Sequence, residues 1–325
     1  MKILVVFVSV VSLLTPSLSF AEPAAPSVPV PPLVVMAPPA DTGSAAEAAT
    51  KAAPKPLPPP TPERLALARQ VIEAQGGAKG FSEIFNAGID GIVEGLKPGP
   101  EVLAMVAPYR ERLKASLTAH MPEIVEAAAK AWGRTYTEQE LQGQLDYLRS
   151  PTARSVLAKW PRMAGQMGQE AGWFIRQVLL TDPSMSRYLA DATTGEEQPP
   201  RWPTPPPEAL AIIKTRLAAS PAGDLINHPD RVTKQILKGR KGTPAEKKMY
   251  RRMAAILPAC LDGILAIIAN NTTPDELRAQ DAYLASAAGK AQVAKAGQVS
   301  DSIQADLKPI LIAIFTDLKK TPAKT

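Results

Sequence analysis

Glu140, Tyr147 and Lys159 recur as Glu276, Tyr283 and Lys295, each 136 residues further along the chain. A carboxylate, a phenol and an amine kept together are the parts of a general acid–base site, so a repeated set raises the prospect of a duplicated active site. The surrounding residues offer a plainer use for them. Nine identities fall among the 23 positions from 137 to 159 when these are laid over 273 to 295, and they include Thr137 with Thr273, Leu141 with Leu277, Gln144 with Gln280, Leu148 with Leu284 and Ser150 with Ser286. Thr137-x-x-Glu140 and Thr273-Pro274-Asp275-Glu276 are capping boxes: the Thr hydroxyl accepts from the third amide and the Glu reaches back. Ser150 precedes Pro151 as a helix cap, and a Tyr beside an apolar Leu reads as a core ring with its hydroxyl at the rim. Thr137, Glu140, Tyr147, Ser150, Thr273, Glu276, Tyr283 and Ser286 are therefore expected to be structural. A hydrolase built on them would need the carboxylates in a concave pocket with raised pKa values.

Other chemistries find little material. The chain has two His and one Cys in 325 residues. His120 with Glu123 and His228 with Asp230 offer two ligands each, too few for a metal site, and no HExxH, GxSxG, Walker or dinucleotide glycine pattern occurs. No metal and no cofactor is expected. Cys260 lies in the apolar run ILPACLDGIL and reads as a buried thiol.

Charge carries more information. From 61 to 194 basic and acidic residues balance, 15 against 15, whereas 208 to 325 holds 18 against 11. The excess is concentrated in Arg231, Lys234, Lys238, Arg240, Lys241, Lys247, Lys248, Arg251 and Arg252, with one Glu between them. Lys247, Lys248, Arg251 and Arg252 share one face of the helix that Thr243-Pro244 opens, a candidate anion-binding face for phospholipid headgroups or lipopolysaccharide phosphates. The bland reading is a solvated face that keeps the domain soluble.

The elements that must position these residues are helical. Leu141, Leu145 and Leu148, and Phe81, Ile84, Phe85 and Ile92, form helical stripes, and no alternation of period two is sustained anywhere. Residues 1–21 read as a signal peptide: Lys2, an apolar run from Ile3 to Leu14, and small residues at Ser19 and Ala21. No Cys follows the cleavage point, so the exported chain is not expected to be a lipoprotein. Residues 22–60, with 12 Pro in 39, read as a disordered Pro/Ala-rich linker, and 193–206 as a second Pro-rich break. These divide the chain into helical domain 1 (61–192) and helical domain 2 (207–320), the second a divergent copy in which Ala287 replaces the Pro and Asp281 stands at the Leu145 position. PERLALARQVIEA from Pro62 and PEALAIIKTRLAA from Pro207 open the two copies. The expected class is all-α, two tandem helical bundles. The apolar stretch Met253–Ala269, interrupted by Pro258, Asp262 and Gly263, is expected to be a core helix rather than a membrane span.

Thr137, Glu140, Leu141, Tyr147, Leu148, Ser150, Pro151 and Arg154 in an exported helical chain resemble a bacterial envelope family, domain of unknown function 2059. The resemblance runs from about Thr61 to Leu180 and, through the second copy, from Pro207 to Leu318. It implies a helical fold, bacterial origin and envelope location, with no catalytic residues to carry over.

Together these readings anticipate a periplasmic, non-enzymatic protein that binds a partner protein or an apolar ligand through helix faces. The alternatives are a peripheral binder of anionic lipid through 231–252 and an unrecognised hydrolase. Nucleic acid is not expected at this address. An apolar ligand would be sought along Trp160, Met163, Met167, Trp173 and Phe174, where core packing is the competing use.

Overall fold

The computed structural model describes residues 58–182, 185, 188–190, 198–218 and 243–319. Among them lie nine helices: α1 (Pro62–Ala74), α2 (Gly77–Leu96), α3 (Pro100–Thr135), α4 (Glu138–Arg149), α5 (Pro151–Leu179), α6 (Pro207–Ala218), α7 (Pro244–Asn271), α8 (Pro274–Ala285) and α9 (Ala287–Lys319). The described residues contain no strand, and the protein is all-α. The expected signal peptide, nearly all of the first linker and residues 219–242 lie outside the described residues.

Short-range chemistry sets the helix ends. Both capping boxes form: the Thr137 hydroxyl accepts from the Glu140 amide at 3.2 Å and the Glu140 carboxylate from the Thr137 amide at 2.8 Å, and Thr273 with Glu276 repeats both distances. The Ser150 hydroxyl accepts from the Ala153 amide, with Pro151 in the first turn where no amide is missed. Helix bounds keep the 136-residue spacing. α3 ends at Thr135 and α7 at Asn271, α4 runs 138–149 and α8 274–285, and α5 and α9 begin at 151 and 287. Pro122 and Pro258, inside α3 and α7, obey the same spacing.

Packing does not follow the division of the sequence. Within each half, α1 packs on α3 and α4, and α6 packs on α7 and α8. The long last helix of each half crosses over: α5 packs along α7, and α9 packs along α3. Val299 of α9 accordingly sits in the core of Ala68, Val71, Ile72, Ala129, Trp132, Leu141 and Leu145. Its counterpart 136 residues earlier, Met163 of α5, packs with Met167 against Ile267 of α7. Trp173 of α5 closes a further cluster with Ile256 and Cys260. Burying each such apolar side chain contributes about 1.5–3 kcal/mol, and much of that burial here lies between the halves.

α2 has no described counterpart in the second half. It lies against α5 so closely that a Cβ on Gly91 would meet the Gly165 carbonyl oxygen, and one on Gly95 the Gln169 carbonyl oxygen. Glycine lets two backbones approach where any side chain would hold them apart.

Candidate functional site

The repeated polar set converges on the boundary between the halves. Lys295 Nζ lies 2.7 Å from Glu140 Oε2, and Lys159 Nζ lies 2.6 Å from Glu276 Oε1. Each carboxylate is thus paired with the lysine of the other copy. Ser155 Oγ donates to Glu276 Oε1 at 2.6 Å. Between the two pairs, the Tyr147 and Tyr283 rings stack with centroids 4.0 Å apart and planes 9° apart. The Tyr283 hydroxyl donates to Gln292 Oε1 at 2.5 Å, and the Tyr136 hydroxyl to the Gln292 carbonyl at 3.3 Å. The amine of Lys295 also rides 5.7 Å from the Tyr136 ring centroid.

Electrostatics at this boundary favour fixed charge. Burial alone would raise the Glu140 pKa, but the Lys295 hydrogen bond and the Thr137 amide outweigh it and hold the group below its usual range. Glu276 is lowered in the same way, burial being overcome by Lys159, Ser155 and the Thr273 amide. A general acid at neutral pH requires the opposite shift, so the condition set for a hydrolase is not met by either carboxylate. Burial raises the Tyr147 and Tyr283 phenols above their ordinary value.

A small cleft of about 50 Å³ opens beside the stacked rings, lined among others by Gln75, Gln144, Leu148 and Trp160. Gln144 accepts from the Trp132 indole at 3.0 Å, while its buried Nε2 has no partner. Of the segment singled out for an apolar ligand, Met163, Met167 and Trp173 are buried in helix contacts, and Trp160 alone lines this cleft.

Asp281, where Leu145 stands in the first copy, replaces a core contact with an ion pair to Arg216 of α6 at 2.6 Å, and the same guanidinium donates to Gln280 and to the Leu277 carbonyl. Leu145 itself is 1% exposed. The two copies therefore stabilise the same helix junction by different means.

Of the candidate anion-binding face, Lys247, Lys248 and Arg251 are exposed on α7. Arg252 instead turns inward and donates to Gln177 of α5 at 2.5 Å. Arg231, Lys234, Lys238, Arg240 and Lys241 lie outside the described residues. His120 lies 3.2 Å from Glu123 and 4.0 Å from Asp317, and no group of three metal-ligating residues occurs among the described residues. Lys247–Asn271 is long and apolar enough to cross a membrane, with 33% of its most apolar window buried.

No family model, curated protein or solved structure matches the chain. Its function must be argued from its own residues.

One group escaped the sequence reading. Glu170, in the segment MGQEAGW of α5, is 0% exposed. Its only sequence signal is a carboxylate in a stretch whose other residues carry no charge.

Proposed function

We propose that the chain is an exported, non-enzymatic helical protein of the bacterial envelope that binds a partner protein or apolar ligand through helix faces. The carrying observation is that Glu140, Lys159, Glu276 and Lys295 are engaged in pairs that join the two halves, as are the stacked Tyr147 and Tyr283. The repeated residues then have an architectural use, and recognition falls to surfaces elsewhere. The signal-peptide pattern of residues 1–21 and the resemblance to domain of unknown function 2059 support the address and the duplication of one ancestral unit.

The surface best suited to recognition is the start of α3. Leu103, Met105 and Tyr109 are 40%, 60% and 58% exposed. Tyr188, also exposed, is held at the residue that precedes α3, where its carbonyl accepts from the Gly99 amide at 2.9 Å. Three large apolar side chains in the first turns of a helix, with a fourth at its start, are what a partner's apolar surface would cover. Capture of partners from an envelope extract tests the reading. Met105→Asp with Tyr109→Asp should lose what the wild-type chain retains, and equal capture would overturn it.

A second reading has its own support: Lys247, Lys248 and Arg251 stand exposed together on α7, as binding to an anionic lipid surface would require. Reversing these three charges should abolish salt-sensitive binding to anionic vesicles, and unchanged binding would discard it.

A further inference from the structure

The contact between α3 and α9 and the contact between α5 and α7 are equivalent through the 136-residue spacing, yet they treat one carboxylate differently. On the α3–α9 side, Arg134 Nη1 lies 2.7 Å from Asp306 Oδ2. The residue equivalent to Asp306 is Glu170, and the residue equivalent to Arg134 is Asn270. Glu170 has therefore kept its carboxylate and lost its cation. Asn270 donates instead to the Pro203 carbonyl at 2.8 Å, on the segment that joins the two halves.

The neighbouring residue of that segment takes the vacated role in part. The Trp202 indole N–H donates to Glu170 Oε1, and its ring packs on Met163, Met167 and Ile267. Glu170 Oε2 is buried with no partner. Gly263 makes the room, since a Cβ there would collide with the carboxylate. A buried carboxyl with one donor and no cation is stable in its neutral form, and losing the proton would place an uncompensated charge in an apolar seam.

Charges around the site are committed elsewhere. From α7, the Cys260 thiol faces Glu170 and is pushed up to about 12 by burial and by that carboxylate. Asp262 is turned to solvent, and Arg252 bonds Gln177. On α5, Arg176 donates to the Leu96, Lys97 and Ala190 carbonyls. From α2, Glu94 accepts from Gln169, and from the joining segment Arg201 donates to Gln198. Burial raises the Glu170 carboxyl to about 7, which puts the titration in a range an envelope protein meets.

We propose that Glu170 is a proton-operated latch: protonated, it leaves the α5–α7 seam closed beneath Trp202, and on deprotonation its buried charge, which the Trp202 N–H offsets only in part, favours parting of the seam so that the carboxylate can reach water. The asymmetry between the halves, Asn270 in place of an arginine, is what makes this seam responsive while its Arg134–Asp306 counterpart stays shut.

Cys260, the chain's one cysteine, reports the opening, because its buried thiol reacts only when the seam parts. The rate of Cys260 alkylation in the full mature chain is compared with that of Glu170→Gln, in which the parted seam exposes the same thiol. From about pH 5.5 to about pH 8.5 the wild-type rate relative to that of Glu170→Gln should rise at least about tenfold, since the open fraction gains about tenfold per pH unit between 4.5 and about 7 and levels off above that. Asn270→Arg, which restores the missing cation, should remove the excess as Glu170→Gln does. A wild-type to Glu170→Gln ratio that is the same at both pH values overturns the proposal. If neither variant folds, the Trp202 indole N–H resonance of the wild type, assigned with Trp202→Phe, decides: a titration near neutrality supports the latch and a pH-independent signal overturns it.

Discussion

Tyr147 and Tyr283 occupy equivalent places in two copies of one sequence pattern, and their rings stack on each other at 4.0 Å. A residue meets its own counterpart only where two copies face each other across an approximate two-fold relation. The reciprocal pairs Glu140–Lys295 and Glu276–Lys159 flank that contact.

Truncating the stack should be costly and removing its hydroxyls cheap. Tyr147→Ala or Tyr283→Ala is expected to lose about 3–5 kcal/mol in denaturant unfolding. Tyr283→Phe, which loses the bond to Gln292, should cost about 0.5–1.5 kcal/mol. Tyr147→Phe should cost less than that, because the structure gives its hydroxyl no hydrogen bond.

The cross-half pairs should show coupling in a double-mutant cycle. Glu276 is 10% exposed at its side chain, and Glu276→Gln should cost about 1–3 kcal/mol by leaving Lys159 without its anion. Once Lys159→Met is made, the same change should cost far less. Additive losses would show that the two groups do not act as a pair.

Stability should depend on pH in two opposed ways. Glu140 and Glu276 titrate below 4.5 in the fold, so what they contribute is present above that value and lost as pH falls through their folded values. Glu170 titrates at about 7, so its contribution is complete below 4.5 and lost as pH rises towards about 7, at most about 3 kcal/mol. Thermal midpoints across pH check both limbs. Glu170→Gln should flatten the upper one alone.

The α2–α5 contact should be intolerant of a single methyl group. Gly91→Ala or Gly95→Ala sets a Cβ against a facing carbonyl oxygen and should destabilise by about 1–3 kcal/mol or more. Ala87→Gly on the same helix, as a control, should cost only the roughly 1 kcal/mol that glycine loses in a helix interior.

Much of this was legible in the sequence where the physics is local. Thr137 with Glu140 and Thr273 with Glu276 announce their caps because the partners stand three residues apart, and Leu141, Leu145 and Leu148 announce a buried face by their spacing. Periodicity says that a face is buried and leaves open what buries it. That α5 lies on α7 and α9 on α3 depends on partners more than 70 residues distant, so Lys159 and Lys295 could be recognised as repeated residues but not matched to the opposite glutamates. Glu170 was illegible for the same reason. Its environment is made by Trp202, Cys260 and Gly263, and none of them is near it in the chain. The repeat did hold the clue in Asn270 standing where the first copy has Arg134, visible once Asp306 is seen to be paired.

Exchanging the charges of one cross-half pair, Lys159→Glu with Glu276→Lys, and measuring both stability and partner capture tests the central claim that the repeated residues are architectural. The account predicts that the exchange is more stable than the Glu276→Lys single reversal, recovering the ion pair though not the cap of Thr273 and the Ser155 bond, and that the exchanged chain captures the same partners as the wild type. Recovered stability with capture abolished would contradict it, because the repeated residues would then be needed for something beyond the fold.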